Sequence, residues 1–327
     1  MKPKVLFACR VEDEAAKRRM EEYAEIVEIE TADPRVLLDH VPTMTGLIVP
    51  YTNEKLITKE VLDKGVHLKL VGTTYGGTRQ NVEDEYALEK GLTVIHTGGS
   101  RPRPMAEYTL GLVLSSLLQI HNYHHYMRSG EAWPRFKYGR TRILHRRKVG
   151  VIGCGLIGRG IIELFRNFTD EIYVRSNHLS AEQAEEMGVT KLELNEIFRE
   201  CEIIILAGGY TPETHHMIGQ EQFDQMQEEA LLVNIARGKM VDEQAMIAAV
   251  NSKPIYLALD VFEEEPLPAD SPLRQSDQVL LTPHRANNPR EFEDRWQCLA
   301  DELELFFTGK RPSSALTLNR ARAMSSS

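Results

Sequence analysis

Three residues of the types used in acid–base catalysis each follow a short apolar run. Arg237 comes after LLVNIA, Glu265 after LALDVFEE and His284 after VLLTP. Such runs are typical of buried parallel strands, whose carboxyl ends meet at one edge of a sheet, where ligands bind. There, an arginine could bind a carboxylate and polarise a carbonyl, while a histidine oriented by a carboxylate donates a proton. Beside a nicotinamide, the three would serve hydride transfer to a 2-oxo acid.

Each of these residues also has an ordinary interpretation. Arg237 could cap a helix, Glu265 could be one more acid in an exposed run, and His284 could be a buried, hydrogen-bonded histidine. The occurrence of all three in equivalent positions favours catalysis.

A glycine pattern marks a candidate dinucleotide site. KVGVIGCGLIGRGIIELF reads as a strand, a turn with Gly153, Gly155 and Gly158, and a helix. The first glycine permits a tight turn, the second lets backbone amides approach a pyrophosphate, and the third lets the helix pack closely. A purely structural turn is the alternative, but the flanking strand and helix favour dinucleotide binding.

The next strand bears on the choice of cofactor. An NAD enzyme usually carries an acidic residue about twenty positions after the fingerprint, but DEIYVRSN places Arg175 and Ser176 there. An arginine beside a hydroxyl would bind a 2′-phosphate, so we predict NADP, with NAD as the alternative if Arg175 only stacks on adenine.

The elements that position these residues form two series of strands alternating with helical stretches. This alternation predicts an α/β fold with two doubly wound parallel-sheet domains. The predicted strands are Val5–Ala8, Gly46–Val49, Leu70–Gly72, Thr93–Ile95, Val149–Gly153, Glu171–Arg175, Ile203–Ala207, Leu231–Ile235, Tyr256–Asp260 and Val279–Leu281.

The C-terminal region is expected to return to the first domain. Residues 290–307 have helical periodicity, whereas the tail after Leu318 has no apolar pattern and is expected to be frayed. We therefore predict a substrate-binding domain of residues 1–117, completed by a C-terminal helix in 290–327, and a dinucleotide-binding domain of residues 118–289.

Composition excludes several classes of partner. The 327 residues carry a formal charge of -9, which disfavours nucleic acids and anionic membranes. The four scattered cysteines and the absence of a signal-like or membrane-spanning run predict a cytoplasmic protein with reduced thiols. No metal is predicted, since His121, His124 and His125 could share a helical face but lack further ligands.

These motifs resemble the D-isomer-specific 2-hydroxyacid dehydrogenase family from about Leu70 to Pro312. The resemblance implies a Rossmann-type cofactor domain, a flavodoxin-like substrate domain and a homodimer joined near Glu107–Tyr126. It also implies that Arg237, Glu265 and His284 are catalytic. The further cofactor-binding residues that it implies are Leu156, Ile157, Ile235, Ala236 and Asp260.

The sequence departs from this family in the loop that holds the substrate carboxylate. The family's G-x-G-x-D-N-I-D reads GGTRQNVE here, which gives Gly77, Thr78 and Arg79 as substrate-binding candidates. Arg101 and Arg103 are added nearby. Three arginines suggest a 2-oxo acid with a second acidic group, reduced to the D-hydroxy acid. Alternatively, Arg101 or Arg103 pairs with Glu107 or with a partner subunit.

Two other functions fit the same pattern. One is oxidation of a donor such as formate or phosphite, although Glu265 stands where formate-type relatives have glutamine. The other is a nucleotide-sensing binding protein similar to co-repressors related to this family, which can retain the catalytic residues.

Overall fold

The computed structural model describes residues 2–286 and 294–323, which form two compact units. The described part of the first unit comprises 2–101 and 294–323, and that of the second comprises 102–286. In chain order the strands are β1 Lys4–Phe7, β2 Glu25–Glu28, β3 Gly46–Val49, β4 Leu70–Thr73, β5 Thr93–His96, β6 Val149–Ile152, β7 Ile172–Arg175, β8 Thr190–Lys191, β9 Ile203–Leu206, β10 Leu231–Asn234, β11 Tyr256–Leu259 and β12 Val279–Leu281.

The helices alternate with these strands through most of the described chain. In chain order they are α1 Glu14–Tyr23, α2 Pro34–His40, α3 Lys59–Lys64, α4 Asp84–Glu89, α5 Pro102–Leu117, α6 Ile120–Arg128, α7 Leu156–Phe165, α8 Ala181–Glu186, α9 Leu194–Glu200, α10 Gln220–Gln225, α11 Glu243–Ser252, α12 Arg295–Phe307 and α13 Leu318–Ala323. Several begin at capping side chains. Asp13 accepts backbone N–H groups at the start of α1, and Asp242 does so at the start of α11.

The first unit is built on a five-stranded parallel sheet in the order β2-β1-β3-β4-β5. Apolar side chains from both faces of the sheet are covered by helices, which leaves strands such as β3 and β4 fully buried. Helix α12 packs against α1, and Trp296 enters the core on that face.

The second unit is built on a seven-stranded parallel sheet in the order β12-β11-β10-β9-β6-β7-β8. The order reverses beside β6, where chain connections leave to opposite sides and create the crevice that α/β sheets use for ligands. Both units thus confirm the predicted fold class of two doubly wound parallel sheets.

Two boundaries differ from those predicted. The first unit ends at Arg101 rather than at residue 117, because the 16 residues of α5 pack along α7 in the second unit. The tail after Leu318 is not frayed up to Ala323, since α13 forms there and buries Ala321 completely. Of the predicted C-terminal helix, residues 290–293 and 324–327 lie outside the described residues.

Among the described residues, no helix has both the length and the apolar character that crossing a membrane requires.

Candidate active site

The three catalytic candidates lie in loops at one edge of the second sheet. Strands β10, β11 and β12 are parallel neighbours, so the segments after them start from the same side. Arg237 follows β10, Glu265 follows β11 and His284 follows β12. The topology therefore places the three side chains on adjacent loops.

His284 and Glu265 are joined directly. The His284 Nδ1 donates to Glu265 Oε2 at 2.7 Å, and Glu265 Oε1 accepts the Phe262 backbone N–H at 3.0 Å. A carboxylate can only accept, so Nδ1 carries the proton of this pair and Nε2 is the nitrogen left for a ligand. Both side chains are more than one-third exposed, as a proton donor to a bound molecule requires.

Asp260 holds the loop that carries His284. It is fully buried, and its backbone carbonyl accepts the His284 N–H at 2.8 Å. Its carboxylate accepts from Thr282 Oγ1, the backbone N–H groups of Arg285 and Ala286, and Tyr108 OH. These contacts give Asp260 a positioning role toward His284. The predicted place of Asp260 near the cofactor stays a prediction.

Tyr108 and Thr282 were missed by sequence reasoning. Burial raises the pKa of Tyr108, which keeps the phenol protonated as a donor to Asp260. Thr282 could have been noticed from its place two residues before His284. Tyr108 is 152 residues from Asp260, so no local pattern connects the two.

The turn that carries Arg237 is braced by Asn234. The Asn234 side chain accepts the Ala236 N–H at 3.0 Å and donates to the Arg237 carbonyl at 3.0 Å. Arg237 is exposed, and its Nη1 donates to the Ala236 carbonyl at 2.7 Å. Its remaining guanidinium donors can therefore reach a ligand, whereas Ile235 and Ala236 are buried.

The glycine turn after β6 has the geometry that a dinucleotide needs. A Cβ on Gly153, whose φ is +105°, would lie 2.5 Å from the Gly208 backbone, and one on Gly158 would lie 2.1 Å from the Gly153 carbonyl oxygen. Gly155 is the N-cap residue of α7, and a Cβ placed on it would have no other atom within 4 Å. A pyrophosphate can therefore approach the backbone here, next to the exposed Leu156 and the partly buried Ile157.

The end of β7 carries a cation and a hydroxyl. Arg175 and Ser176 are partly exposed, and the two residues that follow are Asn177 and His178. Ser176 Oγ accepts the His178 N–H at 3.3 Å. This stretch thus has hydrogen-bond donors and no carboxylate.

The substrate-binding candidates on the loop after β4 are in the first unit and have different environments. Gly77 has open space at its Cβ position, whereas Thr78 is buried and donates to Asp84 Oδ2 at 2.8 Å. Arg79 Nη2 donates to Glu85 Oε1 at 2.6 Å and lies 3.6 Å from Asp84 Oδ1. Thr78 and Arg79 therefore bind protein groups in this structure.

The other two arginines also have neighbours of their own. The Arg101 guanidinium lies 4.0 Å from the centre of the Tyr75 ring, and a Cβ on Gly76 would meet it at 2.5 Å. Arg103 belongs to the second unit, where it forms an exposed ion pair with Glu107. The ordinary interpretation of Arg103 is thus the one observed.

Comparison with known proteins shows which family the chain resembles. Residues 110–286 match the family model for D-isomer specific 2-hydroxyacid dehydrogenase, NAD binding domain. The chain is 33% identical over 290 residues to D-3-phosphoglycerate dehydrogenase of Methanocaldococcus jannaschii, covering 88% of this chain but only 54% of that enzyme. It is 30% identical over 321 residues to glyoxylate reductase of Korarchaeum cryptofilum, covering 95% of each.

A solved structure gives the same result at the level of the fold. The crystal structure of a Pyrococcus horikoshii OT3 protein superposes with a TM-score of 0.78 at 28% identity, covering 99% of this chain and 98% of the other. The likeness thus extends over both units.

Proposed function

Since the chain belongs to the D-isomer specific 2-hydroxyacid dehydrogenase family, we propose that it reduces a 2-oxo acid to the D-2-hydroxy acid. The observation that carries this proposal is the 2.7 Å pair of His284 and Glu265 on the sheet edge that also carries Arg237 and the glycine turn. A proton donor, its orienting carboxylate and a cation for the substrate are the groups that this reduction needs.

The residues divide the reaction among them. Arg237 binds the C1 carboxylate and polarises the C2 carbonyl, because its exposed guanidinium can donate to both oxygens. His284 donates the Nε2 proton to the carbonyl oxygen, and Glu265 stabilises the imidazolium that precedes this transfer. A bound nicotinamide supplies the hydride that C2 receives. The product gains that hydride at C2 and the proton at oxygen, and His284 is left neutral.

The first unit supplies a candidate site for the substrate carboxylate. Among the described residues, no acceptor receives the backbone N–H groups of Gly76 or Gly77. Adjacent free amides on a loop form a concave site for an anion. We propose these two amides as the carboxylate site of the first unit.

We propose NADP as the cofactor. The support is the stretch Arg175–His178, where a cation and a hydroxyl stand in place of the acid that would repel a 2′-phosphate. The fit of the glycine turn to a pyrophosphate is the same for NAD, so this choice depends on Arg175 and Ser176 alone.

We propose Arg101 as the contact for a second acidic group on the substrate. Its guanidinium lies against Tyr75 and Gly76, directly beside the candidate carboxylate loop. An arginine at this place can donate charge-assisted hydrogen bonds to a distal anion.

We further propose that the protein is a homodimer. Of the nine exposed large apolar side chains among the described residues, five lie in one segment of the second unit: Ile120, Met127, Trp133, Phe136 and Ile143. Such a concentration is typical of an interface.

A cytoplasmic location stays a prediction, consistent with the four cysteines being free thiols.

The test of the activity is a panel of 2-oxo acids with NADPH and NADH, followed by loss of the reduced nicotinamide and by chiral analysis of the product. We expect turnover with at least one acid and a D-configured product. Cofactor binding without turnover of any acid would instead favour the nucleotide-sensing alternative, and an L-configured product would contradict the family assignment of stereochemistry.

A further inference from the structure

The segment 312–323 is attached to the first sheet at several points. The Leu316 N–H donates to the Val94 carbonyl at 3.0 Å, and Ser314 Oγ accepts the His96 N–H at 3.1 Å. Leu316 packs in the core beneath α4. These contacts fix the position from which α13 begins.

Arg79 connects α13 to the loop after β4. Its Nη2 donates both to the backbone carbonyl of Ala321 and to Glu85 Oε1. Ala321 is fully buried where α13 packs against α4, so its carbonyl is held in place. Arg79 is itself only 26% exposed, and its Nε is buried. It therefore forms a tether inside the unit.

The same loop is anchored on its other side. Asn81 Nδ2 donates at 2.8 Å to the carbonyls of Thr52 and Glu54, and Thr78 is fixed by Asp84. Residues 78–81 are thus attached to three surrounding segments. Gly76 and Gly77, which offer the free amides, directly precede this anchored part.

We propose that Arg79 is a positioning residue that makes the substrate loop depend on the C-terminal helix. Through Arg79, α13 sets the geometry in which the amides of residues 76–77 receive the carboxylate. This inference rests on the proposed function, because it takes that loop as the carboxylate site. It differs from direct recognition, in which Arg79 would contact a second anionic group of the substrate.

The two roles predict that substitution of Arg79 affects different sets of substrates. A positioning residue affects every 2-oxo acid equally, since all share the C1 carboxylate. A direct contact affects only substrates with a second anion. Glu85→Gln separates them further: weakening the tether should raise KM for all acids, whereas releasing a substrate-binding Arg79 should lower KM for dianions alone.

The experiment measures steady-state kinetics with matched monoanionic and dianionic 2-oxo acids at fixed ionic strength. Arg79→Ala should raise KM about tenfold for both kinds of acid, the scale of one charge-assisted hydrogen bond, while kcat stays within about twofold. Ala321→Asp, which places a charge at a buried position of α13, should give the same pattern. Asn319→Ala on the exposed side of that helix and Arg103→Ala are the matched controls, and both should leave monoanion kinetics unchanged.

Hydrogen–deuterium exchange keeps this inference separate from the proposed activity. Residues 76–83 should exchange faster in Arg79→Ala and in Ala321→Asp than in either control, whether or not any 2-oxo acid is turned over. Faster exchange with no turnover by wild type would refute the activity and retain the tether. Unchanged exchange, an unchanged KM, or a loss confined to dianions would overturn the positioning role.

Discussion

At the scale of single residues, the orientation of His284 decides the chemistry. Its Nδ1 is taken by Glu265, and its backbone N–H is taken by Asp260. The ring nitrogen Nε2 takes part in neither bond, so the proton transfer that we propose would use that nitrogen. The dinucleotide turn depends on a different set of residues around Gly153 and Gly155.

This separation predicts the effect of His284→Ala. The variant should lose about 10²–10⁴-fold in kcat, because proton transfer is removed, while the Kd for NADPH stays close to that of wild type. Turnover and fluorescence titration of the cofactor measure the two quantities. His67→Ala, which removes an exposed histidine of the first unit, is the control. A near-normal kcat for His284→Ala would show that another group donates the proton.

Glu265→Gln should lower the rate of reduction. The Glu265 carboxylate orients the His284 ring through its Nδ1 and stabilises the positive charge of a ring that is about to donate a proton, and a neutral amide does so less well. We expect kcat to fall by about tenfold or more, while the Kd for NADPH stays close to that of wild type. Steady-state kinetics and cofactor titration measure the two quantities, with the exposed Glu264→Gln as control. An unchanged kcat would contradict the role of the pair.

Cofactor choice should follow the end of β7. Wild type should have the higher kcat/KM with NADPH, and Ser176→Asp should shift the preference toward NADH through repulsion of the 2′-phosphate. Kinetics with both cofactors at one substrate concentration measure the change, and Ser176→Asn, which adds similar bulk without charge, is the control. Equal use of NADH and NADPH by wild type would refute the assignment.

At the scale of elements, apolar runs predicted the strands that are buried on both faces. The exceptions are edge strands. Strand β2 is the sequence EIVE and is only half-buried, while β8 consists of two exposed residues, so neither shows a continuous apolar run. The prediction of a frayed tail was wrong for a similar reason, because Ala321 is one small residue in a polar stretch. Its burial depends on contacts with α4 and Arg79, which are distant in sequence.

In the candidate site, too, local sequence patterns predicted positions, whereas contacts between distant segments were not predicted. The placement of Arg237, Glu265 and His284 at one edge of the sheet could be predicted, because each lies in the segment after a buried strand; their catalytic roles stay a prediction. The partners of Arg79 were not, because Glu85 and Ala321 approach it from two different helices. Charge alone therefore suggested a substrate contact, where the structure has an internal one.

A close approach between two loops gives a prediction about stability. A Cβ on Gly238 would lie 1.9 Å from the carbonyl carbon and oxygen of Phe262, so alanine must push the Arg237 turn and the Glu265 loop apart. Gly238→Ala should destabilise the fold by about 1–3 kcal/mol and lower kcat/KM. Denaturant unfolding and kinetics measure both. Gly111→Ala, in the open on α5, is the control and should keep or raise stability. Unchanged stability of Gly238→Ala would mean that the turn can relax.

At the scale of the whole molecule, the exposed apolar segment predicts assembly. Trp133 and Phe136 are 73% and 78% exposed, an arrangement that costs free energy unless another surface covers them. A stable dimer usually buries about 1,200–2,000 Å² in total, which a segment of this length from each of two copies can contribute to. We therefore expect wild type to sediment as a dimer at micromolar concentration. The double variant Trp133→Ser with Phe136→Ser should shift toward monomer while its far-UV circular dichroism is unchanged. Val66→Ser removes an equally exposed apolar side chain from the first unit and should remain dimeric. A monomeric wild type, or a double variant that dimerises as tightly as Val66→Ser, would assign the segment to some other surface contact.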